Sequence, residues 1–387
     1  METEVLTRHR CEFESGMLNA ALSSARTPPV NPSEPVRGYA PTDRADVLAF
    51  RRAMYGPESF KAGPRYLEWA LDQPHAAPGA PAVWLYRTEG EVRGQVGGYR
   101  TRFQVGGARR TALWVLDLVV DPNVRQRGIG KALAKAASDS DLTLSIDVSA
   151  DAGVMFRRLG WSDLGDVPLH VRPLTSAFFE ARSSRVLRLA ARPVAAAMRG
   201  IEGAWRPVLR AAGLDLVRVR CFDERSDEAW ARAAPGLLVA SQRDRAFLEW
   251  RFGRFPMADR YGLYYLMQGA KALGHAVLRT ETRGRVTAGH VVDFACEHWA
   301  VAPLLALASA TLRARGADVA YCLCASPFPA TAFAAAGFGR HASGWPLFAD
   351  LRNLTWGERL LAARARGWFV TAGDSNIDRP REFTAFA

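Results

Sequence analysis

The sequence predicts an α/β fold, a mixed central sheet flanked by helices, built twice along the chain. Three observations carry this expectation. Apolar strand-like runs alternate with helix-like runs between residues 36 and 175. Four short landmarks from that stretch recur, in the same order, in the second half. The chain of 387 residues is 49% apolar and 23% charged, an ordinary globular balance. At roughly 150 residues per domain, that length suits two domains.

Residues 1–35 are polar and end in the Pro-rich PPVNPSEP, so they read as a flexible tail. Order is expected to begin with a short strand at Val36-Arg37-Gly38-Tyr39. Asp43 can then cap a helix whose apolar face carries Val47, Leu48, Phe50 and Met54. The runs 82–88 and 95–105 read as two antiparallel strands, with Glu89-Gly90-Glu91 in the turn between them. The run 111–120 is nearly all apolar, as a central strand should be. A helix is expected from about Lys131, a strand at 143–149, a short helix at 151–161 and further strand material to about 175. Residues 176–213 place arginines among apolar residues at helical spacing. They read as one or two basic amphipathic helices, interrupted by Pro193 and Pro207, that link the halves. Residues 214–350 form the second module, and 351–387 a C-terminal segment.

The repeat rests on four pairs. Val36-Arg37-Gly38-Tyr39 recurs as Val219-Arg220-Cys221-Phe222, and Tyr66-Leu67-Glu68-Trp69 as Phe247-Leu248-Glu249-Trp250. Leu116-Asp117-Leu118 recurs as Val292-Asp293-Phe294, and Leu159-Gly160-Trp161 as Ala336-Gly337-Phe338. Their separations are 183, 181, 176 and 177 positions, a small drift that argues for duplication. Trp69 and Trp250 therefore read as equivalent core positions. Glu68, Glu249 and Arg251 read as an ion pair or the lining of an acceptor groove.

Composition excludes several classes. The net charge is +12, but only four of the 51 basic residues are Lys. Such an arginine bias is discounted as a nucleic-acid signal, while an anionic ligand stays in view. The five cysteines include no CxxC pair, and no HExxH occurs, so zinc chemistry is not expected. The scattered thiols suit a reducing, cytoplasmic setting. No apolar run of 18 residues occurs, so no membrane span is expected. Asp374, Asn376 and Asp378 alternate as in a calcium loop but lack its Gly and distal Glu, so a turn is expected.

The chemistry concentrates at 116–137. A buried strand ends, a short loop follows, and Gly128-Ile129-Gly130 opens a helix. Glycines let the main chain approach a ligand closely. The first-turn N–H groups and the helix dipole then suit a phosphate or pyrophosphate, with Arg125, Arg127 and Lys131 adding positive charge. Neither the Walker pattern nor GxGxxG is present. Arg125-Gln126-Arg127-Gly128-Ile129-Gly130, after Leu118-x-Val120-x-Pro122 and before Leu159-Gly160-Trp161, resembles the GNAT family of acyl-CoA-dependent N-acetyltransferases. The second half lacks that loop, having EHWAVAPLL in its place, and so resembles a degenerate second module.

The resemblance implies that the main chain of Arg127, Gly128, Ile129, Gly130 and Lys131 holds the pyrophosphate of acetyl-CoA or another acyl-CoA. It also implies that the strand Leu118-Val119-Val120 splays from the strand at 143–149. The pantetheine arm would lie in that opening, with a backbone N–H near Val119 polarising the thioester carbonyl. An amine nucleophile needs a base. Asp117 is the first candidate, because burial in an apolar strand would raise its pKa, and Asp147 is the second. Where the family often carries an acidic Tyr, this chain has Phe156, with Tyr66 and Tyr99 as stand-ins. The expected function is acetyl transfer to the primary amine of a small molecule, an amino sugar being the first guess. The second half is left to shape the acceptor site or a homodimer face. Two alternatives stand beside it: an aminoacyl-tRNA-dependent peptidyltransferase, and an acyl-CoA-binding protein without turnover.

Overall fold

The computed structural model describes residues 36–76, 80–125, 127–139, 141–181, 185–328, 330–364 and 367–375. The tail expected at 1–35, Gln126, Asn376 and Asp378 lie outside the described residues. The first half runs β1 (Val36–Gly38), α1 (Arg44–Tyr55), α2 (Pro64–Leu71), β2 (Val83–Thr88), β3 (Glu91–Val105), β4 (Ala108–Val115) and β5 (Val119–Val120). It continues with α3 (Ile129–Ser138), β6 (Leu142–Ser145), α4 (Ala150–Arg158), β7 (Ser162–Asp166) and β8 (Leu169–Pro173). After α5 (Ala177–Glu180) and α6 (Arg185–Ala211) come β9 (Leu214–Val219), α7 (Arg225–Ala233), β10 (Val239–Ser241) and α8 (Arg245–Leu248). Then follow β11 (Gly262–Gln268), β12 (Lys271–Arg283), β13 (Val286–Cys296), α9 (Val301–Ala314) and β14 (Val319–Ala325). The last elements are α10 (Ala330–Ala335), β15 (Gly339–His341), β16 (Pro346–Asp350), α11 (Trp356–Ala362) and β17 (Trp368–Thr371).

Fourteen of the strands form two sheet segments of matching order, and β10 and β17 join them: β10 pairs with β3 and, in parallel, with β17, which pairs with β14. The first segment is β1–β2–β3–β4–β6–β16–β7, and the second β9–β11–β12–β13–β14–β8–β15. In each sheet only one of these pairings is parallel: β4 with β6, and β13 with β14. The halves exchange a strand, since β16 sits between β6 and β7 while β8 sits between β14 and β15. Such an exchange commits both sheets to one cooperative unit, because neither is complete without main chain from the other half.

The long apolar run expected as one strand at 111–120 is broken. Gly98 faces Val115 and Gln95 faces Val119, so β3 spends three residues where its partner spends four. That extra residue is a β-bulge, and it bends the strand away from β6 after the last pair, Trp114 with Leu144. The second sheet repeats the device: Val277 faces Asp293 but Leu278 faces Val291.

Helix α6 is one helix of 27 residues, where the two prolines suggested an interruption. Pro193 and Pro207 both lie on its exposed side, where the carbonyls they free can bond to water. Ala191, Ala195 and Leu209 form its buried side, while Arg192, Arg199, Arg206 and Arg210 face solvent. Among the described residues no helix is long and apolar enough to cross a membrane.

The two repeated tryptophans meet each other. Their rings stack at 4.5 Å and 7°. Trp69 Nε1 donates to the Trp250 carbonyl at 2.8 Å, and Trp250 Nε1 donates to the Trp69 carbonyl at 3.0 Å. This reciprocal clasp joins the halves at the centre of a shared core.

Candidate functional site

Helix α3 begins where the chain must turn sharply out of β5. Asp121 first ties the turn, accepting from the Asn123 N–H at 2.9 Å and from Arg93 at 2.8 Å. Gly128 then caps the helix with φ +80°, a left-handed conformation in which a Cβ is strained. A Cβ at this position would meet nothing within 4 Å, so the main chain here faces open space. Arg125, Arg127, Gly128 and Lys131 are exposed around it. The orphan N–H groups of the first turn, the dipole and these cations together make an anion site.

What brings that site close to the sheet is a glycine that the sequence reading missed. Ile129, Leu133, Ala134 and Ala137 form the buried underside of α3. They rest on Gly94, where a Cβ would come within 3.0 Å of Leu133 Cδ1 and 3.1 Å of Ile129 Cγ2. The signal available was Gly94 itself, an isolated glycine in a strand pattern, which marks close approach of another element.

Beyond Trp114 and Leu144 the two parallel strands separate. The Ser145 hydroxyl still reaches the Val115 carbonyl at 3.4 Å. Leu118 and Val120 pack toward α3 and α4, and Val119 toward α1 and α2. The peptide planes are set by β3. Gly97 N–H donates to the Asp117 carbonyl at 3.3 Å, so the Leu118 N–H across the same trans bond points away from β3, into the cleft. By the same argument Asp121 N–H, bonded to the Arg93 carbonyl, leaves the Val120 carbonyl facing the cleft. On the other wall, Ile146 is buried, and Asp147 is exposed with φ +64°.

Asp117 lies on the α1–α2 face of the sheet and is 5% exposed. It accepts from the Tyr66 hydroxyl at 2.7 Å. Arg51 lies 3.7 Å away and Lys61 Nζ 3.5 Å away. Arg51 also donates through Nε to Gln95 at 3.2 Å. Tyr55 sits with its ring 5.5 Å from Lys61 Nζ, and burial, then the Asp117 charge, push its phenol well above 10. The apolar strand is only part of the surroundings of Asp117. The structure adds two cations beside it, Arg51 and Lys61. Arg51 and Lys61 come from α1 and the turn after it, and no spacing in the sequence pairs them with position 117.

Asp117 and Asp147 are not brought together into one pair: the first is buried beneath α1 and α2, and the second is exposed on the opposite wall. Phe156 is 1% exposed and stacks on Trp161 at 4.2 Å and 9°, so the family's usual tyrosine position is core packing here. Of the stand-ins, Tyr66 bonds to Asp117, and Tyr99 donates to the Asp374 carbonyl at 3.0 Å. Glu68 pairs with Arg44 at the surface, whereas Glu249 accepts from the Phe222 N–H and Arg251 is fully buried. Asp374 closes a 3-10 turn, Ala372–Asp374, and pairs with Arg243. No cluster of metal-binding side chains occurs among the described residues.

Residues 47–142 match the Acetyltransferase (GNAT) family. No curated protein matches the chain significantly. Among solved structures, N-myristoyltransferase from Saccharomyces cerevisiae with bound myristoyl-CoA is similar at 13% identity, covering 84% of each chain with a TM-score of 0.51. A protein from Enterococcus faecalis described as a probable N-acyltransferase is similar at 11% identity, covering 82% of this chain and 73% of that one, with a TM-score of 0.56. A GCN5-related N-acetyltransferase from Kribbella flavida is similar at 17% identity, covering 81% and 70%, with a TM-score of 0.51. At such identities the likeness shows the fold alone. The segment that matches the family spans α1, the bulged strand pair and helix α3, and the chain shares its fold with these solved structures over most of its length.

Proposed function

We propose that the protein is an acyl-CoA-dependent N-acetyltransferase, moving an acetyl group from acetyl-CoA to a primary amine of a small molecule by direct attack. One observation supports this above the rest: the cleft opened by the β4–β5 bulge lies beside the glycine-capped start of α3. A pyrophosphate suits that helix start, and an extended pantetheine arm suits the exposed strand edge. The main chain of Arg127, Gly128, Ile129, Gly130 and Lys131 would hold the pyrophosphate, with Arg125 and Gln126 beside it. Leu118, Val119 and Val120 would line the arm, and the Leu118 N–H, aimed into the cleft, would polarise the thioester carbonyl.

In the reaction, the amine nitrogen bonds to the carbonyl carbon, the C–S bond breaks, and the thiolate leaves to be protonated. We assign the amine's proton to Asp117, reached through water. Arg51 and Lys61 flank its carboxylate, and Tyr66 donates to it and fixes its orientation. Asp147, on the opposite wall, is the second candidate. With Phe156 in the core, water rather than a tyrosine protonates the thiolate. The second half, without the loop, serves as a degenerate module that braces the first. The free thiols among the described cysteines fit a cytoplasmic setting.

The test is calorimetry with acetyl-CoA, followed by a thiol-release assay over an amine panel that includes amino sugars. Heat on mixing and amine-dependent release are expected. Absence of heat would defeat the reading, and a melting temperature raised by tRNA but not by acetyl-CoA would transfer it to the tRNA-dependent class. Phe156 favours one second reading, an acyl-CoA-binding protein without turnover. Heat with no release across the panel would identify it.

A further inference from the structure

The clefts of the two halves correspond position by position. The parallel pairs Ala112 with Leu142 and Ala288 with Val319 stand 176 and 177 residues apart, and each strand carries its bulge two pairs later. By the same offset, Cys324 and Ala325 of β14 answer to Asp147 and Val148. In the first half no described strand pairs with that edge. In the second half one does: β17 runs antiparallel to it, with Cys324 facing Thr371 and Ala325 facing Val370. The other edge of β14 is taken by β8, so β17 lies on the side of β13, inside the opening.

The seating is tight. Trp368, Phe369, Val370 and Thr371 are at most 1% exposed. Phe369 packs edge-on against Phe294 of β13 and against Phe328, both at 5.6 Å. The Thr371 hydroxyl donates to Asp293, the repeat partner of Asp117. A Cβ on Gly373 would lie 2.9 Å from Asp293 Cβ and 3.0 Å from Phe252 Cζ. Arg251 then donates to the Gly373 and Ser375 carbonyls at 2.9 and 2.8 Å. Main-chain pairing, apolar side chains in the gap and a buried polar anchor are the features of a bound extended peptide.

We infer that the second cleft is a peptide-binding site whose permanent occupant is the chain's own residues 368–375, seated where acyl-CoA would lie in the first. The comparison with acyl-CoA rests on the function proposed above; the occupancy does not. A bound strand in this place closes the second cleft to any external acyl donor. Its removal, rather than a change at the missing glycine loop, is what would reopen an apolar groove there.

The test reads the occupant through Cys324, a buried thiol on the β14 residue that pairs with Thr371 of the strand. In the full chain, maleimide should label Cys324 at least a hundredfold more slowly than the partly exposed Cys221, as resolved by mass spectrometry. Gly373→Val forces a side chain into the Asp293–Phe252 contact and should speed Cys324 labelling tenfold or more, with Cys221 unchanged. Phe369→Ala, a milder change, should do the same if Gly373→Val does not fold. Equal labelling of Cys324 and Cys221 in the wild type would overturn the inference. So would a folded Gly373→Val whose Cys324 stays as protected as before. Acetyl-CoA titrated into the same samples reports separately on the first cleft. Its heat should match wild type in both variants, and its absence in the wild type would defeat the enzyme reading while the labelling result stood.

Discussion

Replacing Gly128 by Asp separates the role of the helix start from its stability. The residue sits at φ +80°, so any side chain is strained, but Asp tolerates the left-handed region better than most. No heavy atom lies within 4 Å of the added Cβ, so no clash follows. The stability cost is then the backbone strain alone, about 1 kcal/mol, or a melting shift of roughly 1–2 °C in a chain of this size. Binding should suffer more. Two unit charges about 5 Å apart at an effective dielectric near 20 repel by about 3 kcal/mol. Salt screening at this exposed position halves that to about 1.5 kcal/mol, so acetyl-CoA should bind about tenfold more weakly or worse. Gly128→Asn carries the same strain without the charge and isolates the electrostatic part. Calorimetry at two salt concentrations measures both variants, and the Asp defect should shrink at high salt. If Asp and Asn bind acetyl-CoA equally well, no diphosphate sits against this helix start.

Four further outcomes follow from the geometry. Trp69→Ala removes the stack and the bond to the Trp250 carbonyl, and should lower unfolding stability by about 3–5 kcal/mol in urea titration; Trp69→Phe keeps a ring in place and should cost less. Phe156→Tyr places a hydroxyl in the buried stack with Trp161, whose Nε1–H has no partner among the described residues, so it should change stability by no more than about 1–3 kcal/mol and leave turnover no faster, which thermal melts and thiol release can check together. Asp117→Asn leaves Arg51 buried beside a neutral group, costing about 3–5 kcal/mol, and should cut turnover while acetyl-CoA affinity holds; unchanged turnover would remove Asp117 from the chemistry. Burial holds the His170 imidazole down at about 4 from an ordinary 6.5. The unfolded chain therefore takes up a proton below pH 6.5 that the native chain refuses until about pH 4. Stability should fall across that window by up to about 3 kcal/mol, and His170→Phe should flatten that part of the melting profile.

The local elements were legible because their causes are local. The bounds of α1, α3 and α4 follow from apolar periodicity and from the glycine that opens α3, with errors of a few residues. The duplication was legible from landmarks such as Tyr66-Leu67-Glu68-Trp69 and its partner. The bulge that breaks 111–120 was not, because it is a mismatch in count between β3 and its neighbour, and one strand's sequence does not record the other's register. The run of α6 through two prolines was not legible either, since it depends on which side of the helix faces water.

By itself, then, the sequence determined the repeated strand–helix order and the glycine pair that starts α3, because both are written in neighbouring residues. Only the tertiary structure decided that the halves trade β8 and β16, that Trp69 and Trp250 clasp each other, that Asp117 lies between Arg51 and Lys61, and that β17 fills the second cleft. Each of these joins residues far apart in the chain, by main-chain pairing or burial, and such pairings are selected by the assembled core rather than by any short stretch of it.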